Sequence, residues 1–322
     1  MEINFTEPYG RLYETIEDGE LEFFNFKNKY GKVKNMFIKR KIPFDLDNKV
    51  FFDIVTPYGY GGPVIQETTN EKKLLEGYFE AFSDYCQKND IITEFIRFDL
   101  FENTQVRDQF YGDVTLVGKN IVRDLNLPMT KDVRKSNLKN AELAKKSGIK
   151  IISDKTGEYI DDFLDVYYST MERTGADDYY YFKKPFFEQI HETMRDQFIY
   201  FHAVMDDKVI STALILIGKE KSFAFLAGTL GEYYDYHPEA LVELTTIQWL
   251  KDKGLAKYII GGGHKGEDGI YLHKKGYARN GDYPFYVGKK VHDPIIYKKL
   301  INLRKTIGDF DGETSFFPKY RT

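Results

Sequence analysis

One cysteine and one tryptophan are all that 322 residues hold of those two types. With Cys86 alone, no intramolecular disulfide can form, and its place on the apolar face of a predicted helix reads as packing in a reducing compartment. No apolar run reaches the roughly 20 residues that a membrane-spanning helix needs. Met1 to Gly10 has acidic and polar residues in place of the basic start and apolar core of a secretory leader, so a cytoplasmic location is expected. A Gly-x-Ser-x-Gly elbow is missing, which argues against a serine hydrolase. His202, His237 and His264 lack His, Cys or acidic neighbours at metal-ligand spacing, so no metal is expected.

Aromatic residues are plentiful. They make up 16% of the chain, with 25 Tyr and 26 Phe, which is a composition for packed cores rather than disorder. The length suits about two domains. The formal charge of −4 conceals two basic runs, one from Lys27 to Lys41 and one from Lys131 to Lys150. Each run suits either phosphate contact or a solvated face.

Residues 33–42 and 50–56 read as paired strands, followed by a helix whose Leu74, Leu75, Tyr78, Phe79, Phe82, Tyr85 and Cys86 share one face. A strand at 91–98 then suggests a parallel pair with a helical crossover. Residues 114–117 and 120–123 read as a hairpin around Gly118-Lys119, leading to a basic helix over 130–147 that Gly148 ends. Helices near 159–174 and 184–196, strands at 198–205, 209–218 and 222–228, a helix from Pro238, a strand at 258–260, a short helix near 269–275 and a strand at 283–287 complete the pattern. Strand, loop and helix thus occur twice, with Thr56 to Pro63 as the first loop and Thr229 to His237 as the second. Such loops are common places for backbone N–H groups to meet a ligand.

From residue 159 onward, that order of elements is the order of the GNAT acyltransferase fold. Pro57-Tyr58-Gly59-Tyr60-Gly61-Gly62-Pro63, Phe95-Ile96-Arg97-Phe98, the basic helix before Gly148, Gly261-Gly262-Gly263 and His273-Lys274-Lys275-Gly276-Tyr277 resemble the Fem-like branch of that superfamily. That branch contains double-GNAT aminoacyl transferases that build peptidoglycan bridges in cell-wall biogenesis, and related N-acyltransferases. The resemblance implies an α/β (α+β) fold of two tandem GNAT-like domains with mixed central sheets and a cleft between them. Residues 1–150, with a helical tail over 289–322 packing back on them, form the first domain, and residues 151–288 the second.

By the same resemblance, an amine attacks a thioester or an aminoacyl ester directly, with no tightly bound cofactor and with aminoacyl-tRNA or acyl-CoA as co-substrate. The acceptor is an amine of a cell-envelope precursor or amino sugar. Lys274 matches the lysine of a Phe-Lys-Lys-Gly-Phe-like segment and would supply charge to the oxyanion, with Asp268 and Tyr271 as candidates for base or amine positioning. Leu226, Ala227 and Gly228 would present backbone groups to the donor, and Pro238, Glu239 and Ala240 would turn a helix N-terminus toward its phosphates. Tyr58, Tyr60, Arg97, Arg134, Lys135 and Tyr180 would line the acceptor cleft.

Two departures stand out. His273 and Tyr277 replace the usual Phe residues, and Gly228-Thr229-Leu230-Gly231 lacks the leading Arg or Gln of an acetyltransferase pyrophosphate loop, which shifts the balance from coenzyme A toward a larger donor such as aminoacyl-tRNA. The partners expected are an amine-bearing substrate and, for an aminoacyl donor, tRNA, but no DNA, with the chain a monomer or weak dimer. A ligand-binding double-GNAT protein without catalysis is the alternative.

Overall fold

The computed structural model describes residues 2–264, 266–308, 310 and 316–322, so residues 309 and 311–315 of the expected tail lie outside the described residues. The chain divides into a first unit of residues 9–117 and 285–322 and a second of residues 1–8 and 118–284. It passes from one to the other within α1 (Glu7–Arg11), β6 (Asp113–Asp124) and β12 (Asp282–Val291).

In the first unit, β1 (Gly19–Asn28) and β2 (Gly31–Lys41) form an antiparallel pair, and β3 (Phe52–Val55) and β4 (Val64–Thr68) both lie antiparallel to β2. β5 (Ile91–Arg97) runs parallel to β3, and Val287 to Val291 of β12 pair antiparallel with β5. The crossover is α2 (Glu71–Lys88), which Asn70 caps by accepting the Lys73 N–H at 3.1 Å. Its buried face of Leu74, Leu75, Tyr78, Phe79, Phe82 and Cys86 is the one that the apolar spacing predicts, save that Tyr85 is only half-buried and turns its hydroxyl to Glu22. Cys86 is fully buried, and burial followed by the nearby Glu94 charge pushes its thiol pKa up. A one-turn α3 (Thr104–Asp108) and the C-terminal α9 (Pro294–Ile307) complete the unit, with Leu300 and Tyr320 packed against Ile42, Phe51 and Ile92.

The first basic run is largely committed within this unit. Arg40 bonds to Glu17 at 2.6 Å and to Asp53 at 2.8 Å, Lys39 pairs with Glu22, and Lys32 pairs with Glu67. The buried Asp53 also accepts from Arg321 at 2.6 Å and from the Tyr320 hydroxyl at 3.1 Å.

β6 is one unbroken strand, where the sequence suggested a hairpin. Gly118 and Lys119 both lack the positive φ that a two-residue hairpin turn of this kind needs, and the far half of the strand pairs with β11. The following helix, α4 (Lys135–Lys146), begins five residues later than the sequence suggested, because the fully buried Arg123 donates to the carbonyls of Pro128 and Lys131 and holds that segment as a loop. Residues 131–150, read from sequence as the end of the first domain, sit in the second unit, where Ala141 and Ala144 share a core with Leu241 and Ile247.

The second unit carries strands in the order β6-β11-β10-β9-β8-β7. Here β7 (Lys150–Asp154), β8 (Phe198–Met205), β9 (Lys208–Ile217) and β10 (Lys221–Thr229) are successively antiparallel, and β10 is parallel to β11 (Lys257–Gly261). The helices are α5 (Ile160–Thr174), α6 (Lys184–Thr193), α7 (Pro238–Asp252) and the short α8 (Gly269–Lys275). α5 stops at Gly175, whose left-handed conformation suits glycine, and α7 starts with Pro238 in the first helical position.

Candidate active site

β10 and β11 are joined for three residue pairs, from Lys221↔Lys257 to Phe223↔Ile259. β10 then keeps its bonds to β9 through a bulge between Ala224 and Leu226, while β11 runs on to Gly261 beside β6. The two neighbouring strands therefore part after Phe223 and Ile259. On the parting strand Leu226 is half-buried and Ala227 exposed, and Gly228 is pressed against α5. A β-carbon at residue 228 would lie 2.8 Å from the Val166 carbonyl oxygen, so this glycine is required by helix packing. The loop beyond it closes into a 3-10 helix over Gly231–Tyr236, and His237 takes a left-handed turn before Pro238. Pro238 and Ala240 are buried, and Glu239 is half-buried.

Lys274 reaches the far end of β11. Its Nζ donates to the Gly262 carbonyl at 2.8 Å and would lie 3.1 Å from a β-carbon at Gly261, where φ is +93°. Glycine at residue 261 thus serves both the backbone turn and the space for the ammonium. Burial lowers the pKa of Lys274, while the charges of Glu243 and Asp268 pull it up.

Asp268 and Tyr271 are tied into the structure of α8. Asp268 is its N-cap, accepting the Tyr271 N–H at 2.9 Å and the His264 N–H at 2.7 Å. Tyr271 is fully buried and its hydroxyl donates a hydrogen bond to Asp282, which also pairs with Lys275 at 2.8 Å. These contacts make both residues builders of the turn that carries Lys274. The Arg134 N–H donates to the Gly276 carbonyl at 2.8 Å, which sets the exposed Arg134 and Lys135 beside the end of α8. Tyr180 is half-buried on the loop after α5, its carbonyl accepting the Tyr167 hydroxyl.

In the first unit, Tyr58 and Arg97 are half-buried neighbours, with the guanidinium 6.0 Å from the ring centre and donating to the Thr56 carbonyl. Tyr60 is a buried turn residue packed edge-on against Phe285 at 5.6 Å. The Pro57 to Pro63 loop spends backbone groups on its own fold, since the Gly61 N–H donates to the Arg97 carbonyl and the Gly61 carbonyl accepts from Asn103.

Glu243 went unnoticed in the sequence. It lies on the face of α7 that the apolar stripe obscures, one turn from Glu239 and one turn before the buried Thr246. Burial raises its pKa to about 7, against the pull of Lys274 and Tyr258. The available signal was two acids four residues apart on a helix otherwise rich in buried apolar positions.

A polar cavity of about 380 Å³ lies elsewhere in the second unit, at the Lys257 end of β11, lined by Asp124, Lys131, Asp132, Lys257, Arg279 and Asn280 among others. Among the described residues, no group of three or more His, Cys, Asp or Glu side chains is arranged to hold a metal, and no helix is long and apolar enough to cross a membrane.

Parted parallel strands between a long helix and a short one form an arrangement that can be compared with known proteins. Residues 131–274 match the family model of the GNAT acetyltransferase domain. The structure of FemX overlays with a TM-score of 0.69 at 12% identity, covering 92% of this chain and 94% of that one. The chain has the Fem-like double-GNAT fold. The L-PGS structure from Bacillus licheniformis also overlays, with a TM-score of 0.58 at 11% identity, over 96% of this chain and 98% of that one. Comparison with curated protein sequences finds no match.

Proposed function

We propose that the protein is an N-acyltransferase that moves an acyl or aminoacyl group from an activated donor to an amine of a cell-envelope precursor or amino sugar. The observation that carries this reading is the Lys274 ammonium at the Gly261-Gly262 end of β11, just where β11 and β10 have parted. An amine nitrogen bonds to the donor carbonyl carbon, the carbonyl oxygen takes up negative charge, and collapse expels the thiolate or alkoxide while the nitrogen loses a proton. An ammonium beside that oxygen stabilises the charge as it develops. One of its three donors is given to Gly262 and steadies the side chain.

The exposed backbone around Ala227 is the stretch for the donor, with the start of α7 turned to its phosphates. Arg134 and Lys135 are further contacts for anionic parts of either substrate, and the stacking of Phe225 on Phe182, just before α6, and on Phe186 of α6 keeps the donor strand in place. The GNAT match favours acyl-CoA, whereas the sequence after Gly228 lacks the acetyltransferase phosphate signature and favours aminoacyl-tRNA.

The test is a mass-spectrometric screen of the purified protein with acyl-CoAs and charged tRNAs against amino sugars and muropeptides. A mass gain on an acceptor amine, lost in Lys274→Met, is the expected result. Ligands that raise Tm while no donor is consumed would instead mark a binding protein.

A further inference from the structure

The second basic run of the sequence has no part in the reaction above except at Arg134 and Lys135. Its first member, Lys131, lines the polar cavity at the Lys257 end of β11, and the walls of that cavity are held in place. One wall is the turn of Arg279, Asn280 and Gly281. The Asp132 carbonyl accepts the Arg279 N–H at 2.9 Å, the Asp132 carboxylate accepts the Asn280 N–H at 3.1 Å, and the Val122 N–H of β6 donates to the Gly281 carbonyl at 2.8 Å. A β-carbon at residue 281 would lie 2.3 Å from the Val122 carbonyl oxygen, so only glycine lets this turn approach β6 so closely. A second wall is the loop before α4, from which Leu127 and Lys131 reach the cavity. Two cations staple that loop through neutral carbonyls: Arg123 bonds to Pro128 and Lys131, and Lys251 of α7 bonds to Leu125 at 2.7 Å and to Leu127 at 3.1 Å.

The charges around this space do not balance. Lys131, Lys257 and Arg279 line it, and Arg123 and Lys251 hold its loop, whereas the lining acids are Asp124 and Asp132. Both acids are occupied by their own surroundings, since Asp124 accepts the Asn126 N–H at 2.9 Å and Asp132 holds Asn280. Among the described residues, Arg123, Lys131, Lys251 and Arg279 make no ion pair. Cations gathered in a cleft without counter-charges attract anions, and a guanidinium matches the oxygens of a phosphate group. The cavity also has an apolar side of Val122, Leu127 and the half-buried Tyr283, with Lys257 Nζ 6.0 Å from the centre of the Tyr283 ring. Its volume of about 380 Å³ falls within the roughly 300–1,000 Å³ of small-ligand sites. A polynucleotide backbone tracks along a groove instead.

We propose that this cavity binds a small organic phosphate, with Lys131 and Arg279 on the phosphate oxygens and Tyr283 against the organic part. The site is separate from the one read as catalytic. Lys274 bonds at the Gly262 end of β11, and the strand from Lys257 to Gly261 keeps the two about 13 Å apart.

Isothermal titration of the full chain with AMP, followed by displacement with inorganic phosphate, tests the site. AMP should saturate with a Kd below about 1 mM, and inorganic phosphate should displace it. Arg279→Gln and Lys131→Gln alter exposed side chains, and each should weaken AMP by about tenfold or more while the urea midpoint of the unliganded chain stays in place. The two substitutions are independent, so a fold defect in one leaves the other to decide. Lys274→Met should bind AMP as the natural chain does. Absence of saturation, AMP that phosphate cannot displace, binding that survives both substitutions at full strength, or binding lost in Lys274→Met overturns the proposal. So does a single-stranded oligonucleotide that binds through Lys131 and Arg279 where AMP does not. No acyl donor or acceptor enters the titration, so failure of acyl transfer refutes the proposed function alone, and failure of AMP binding refutes this inference alone.

Discussion

The protein contains one supersecondary unit twice, as β3–α2–β5 and as β10–α7–β11, and in both a helix crosses between parallel strands. In the first, the strands stay paired from Phe52↔Ile91 to Val55↔Phe95, and the helix covers them with an apolar face in which Phe82 meets Phe24, Phe37 and Tyr78. In the second, the strands part after three pairs and the helix brings two acids and a threonine, each with one side-chain oxygen that lies buried without a hydrogen-bond partner among the described residues. The sealed copy is scaffold. The open copy gives up strand bonds and apolar packing, the kind of local concession that marks functional sites.

Substitutions can test this contrast. Phe82→Ala removes a fully buried ring from the sealed copy, and urea unfolding should show a loss of about 3–5 kcal/mol while kcat in an acyl-transfer assay stays near that of the natural chain. Lys274→Met should do the reverse, lowering kcat by about 10²–10³ in an acyl-transfer assay while the unfolding midpoint stays near that of the natural chain. Gly228→Ala places a methyl group against the α5 backbone and should cost about 2–3 kcal/mol in urea unfolding, the strain falling on the open copy.

One effect depends on pH. The folded-state pKa of Glu243, about 7, lies above the ordinary carboxylate value of 4.5, so within that interval the folded chain retains a proton that the unfolded chain has lost. Stability therefore falls as pH rises through the interval. Glu243→Gln cannot ionise, and its unfolding free energy relative to the natural chain should improve by about 3 kcal/mol between pH 4.5 and pH 8. A constant difference across that range would place Glu243 in the same class as the sealed copy.

Periodicity made α2 and α7 readable, because each repeats its apolar residues at helical spacing over four turns or more. It failed where a single long-range contact decides. The hairpin at Gly118-Lys119 looked plausible locally, and only pairing with β11 shows that the chain goes straight through. The start of α4 is set by Arg123, whose burial no local pattern announces. At the candidate site, the motif singled out Lys274 as an expectation, whereas Glu243 was concealed because an acid on a helix usually faces solvent. Asp268 could have been read as a cap, since it stands three residues before Tyr271 at the opening of a helix.

The bonds that Arg321 and Tyr320 make to Asp53 have a consequence for how the chain is made. A ribosome delivers Asp53 long before either partner, so the nascent first unit must wait, with that carboxylate relying on Arg40 alone among these three, until Tyr320 and Arg321 have emerged. Expression of residues 9–117 by themselves would freeze the polypeptide in that unfinished condition, and a chain cut before Tyr320 would be expected to lean on chaperones.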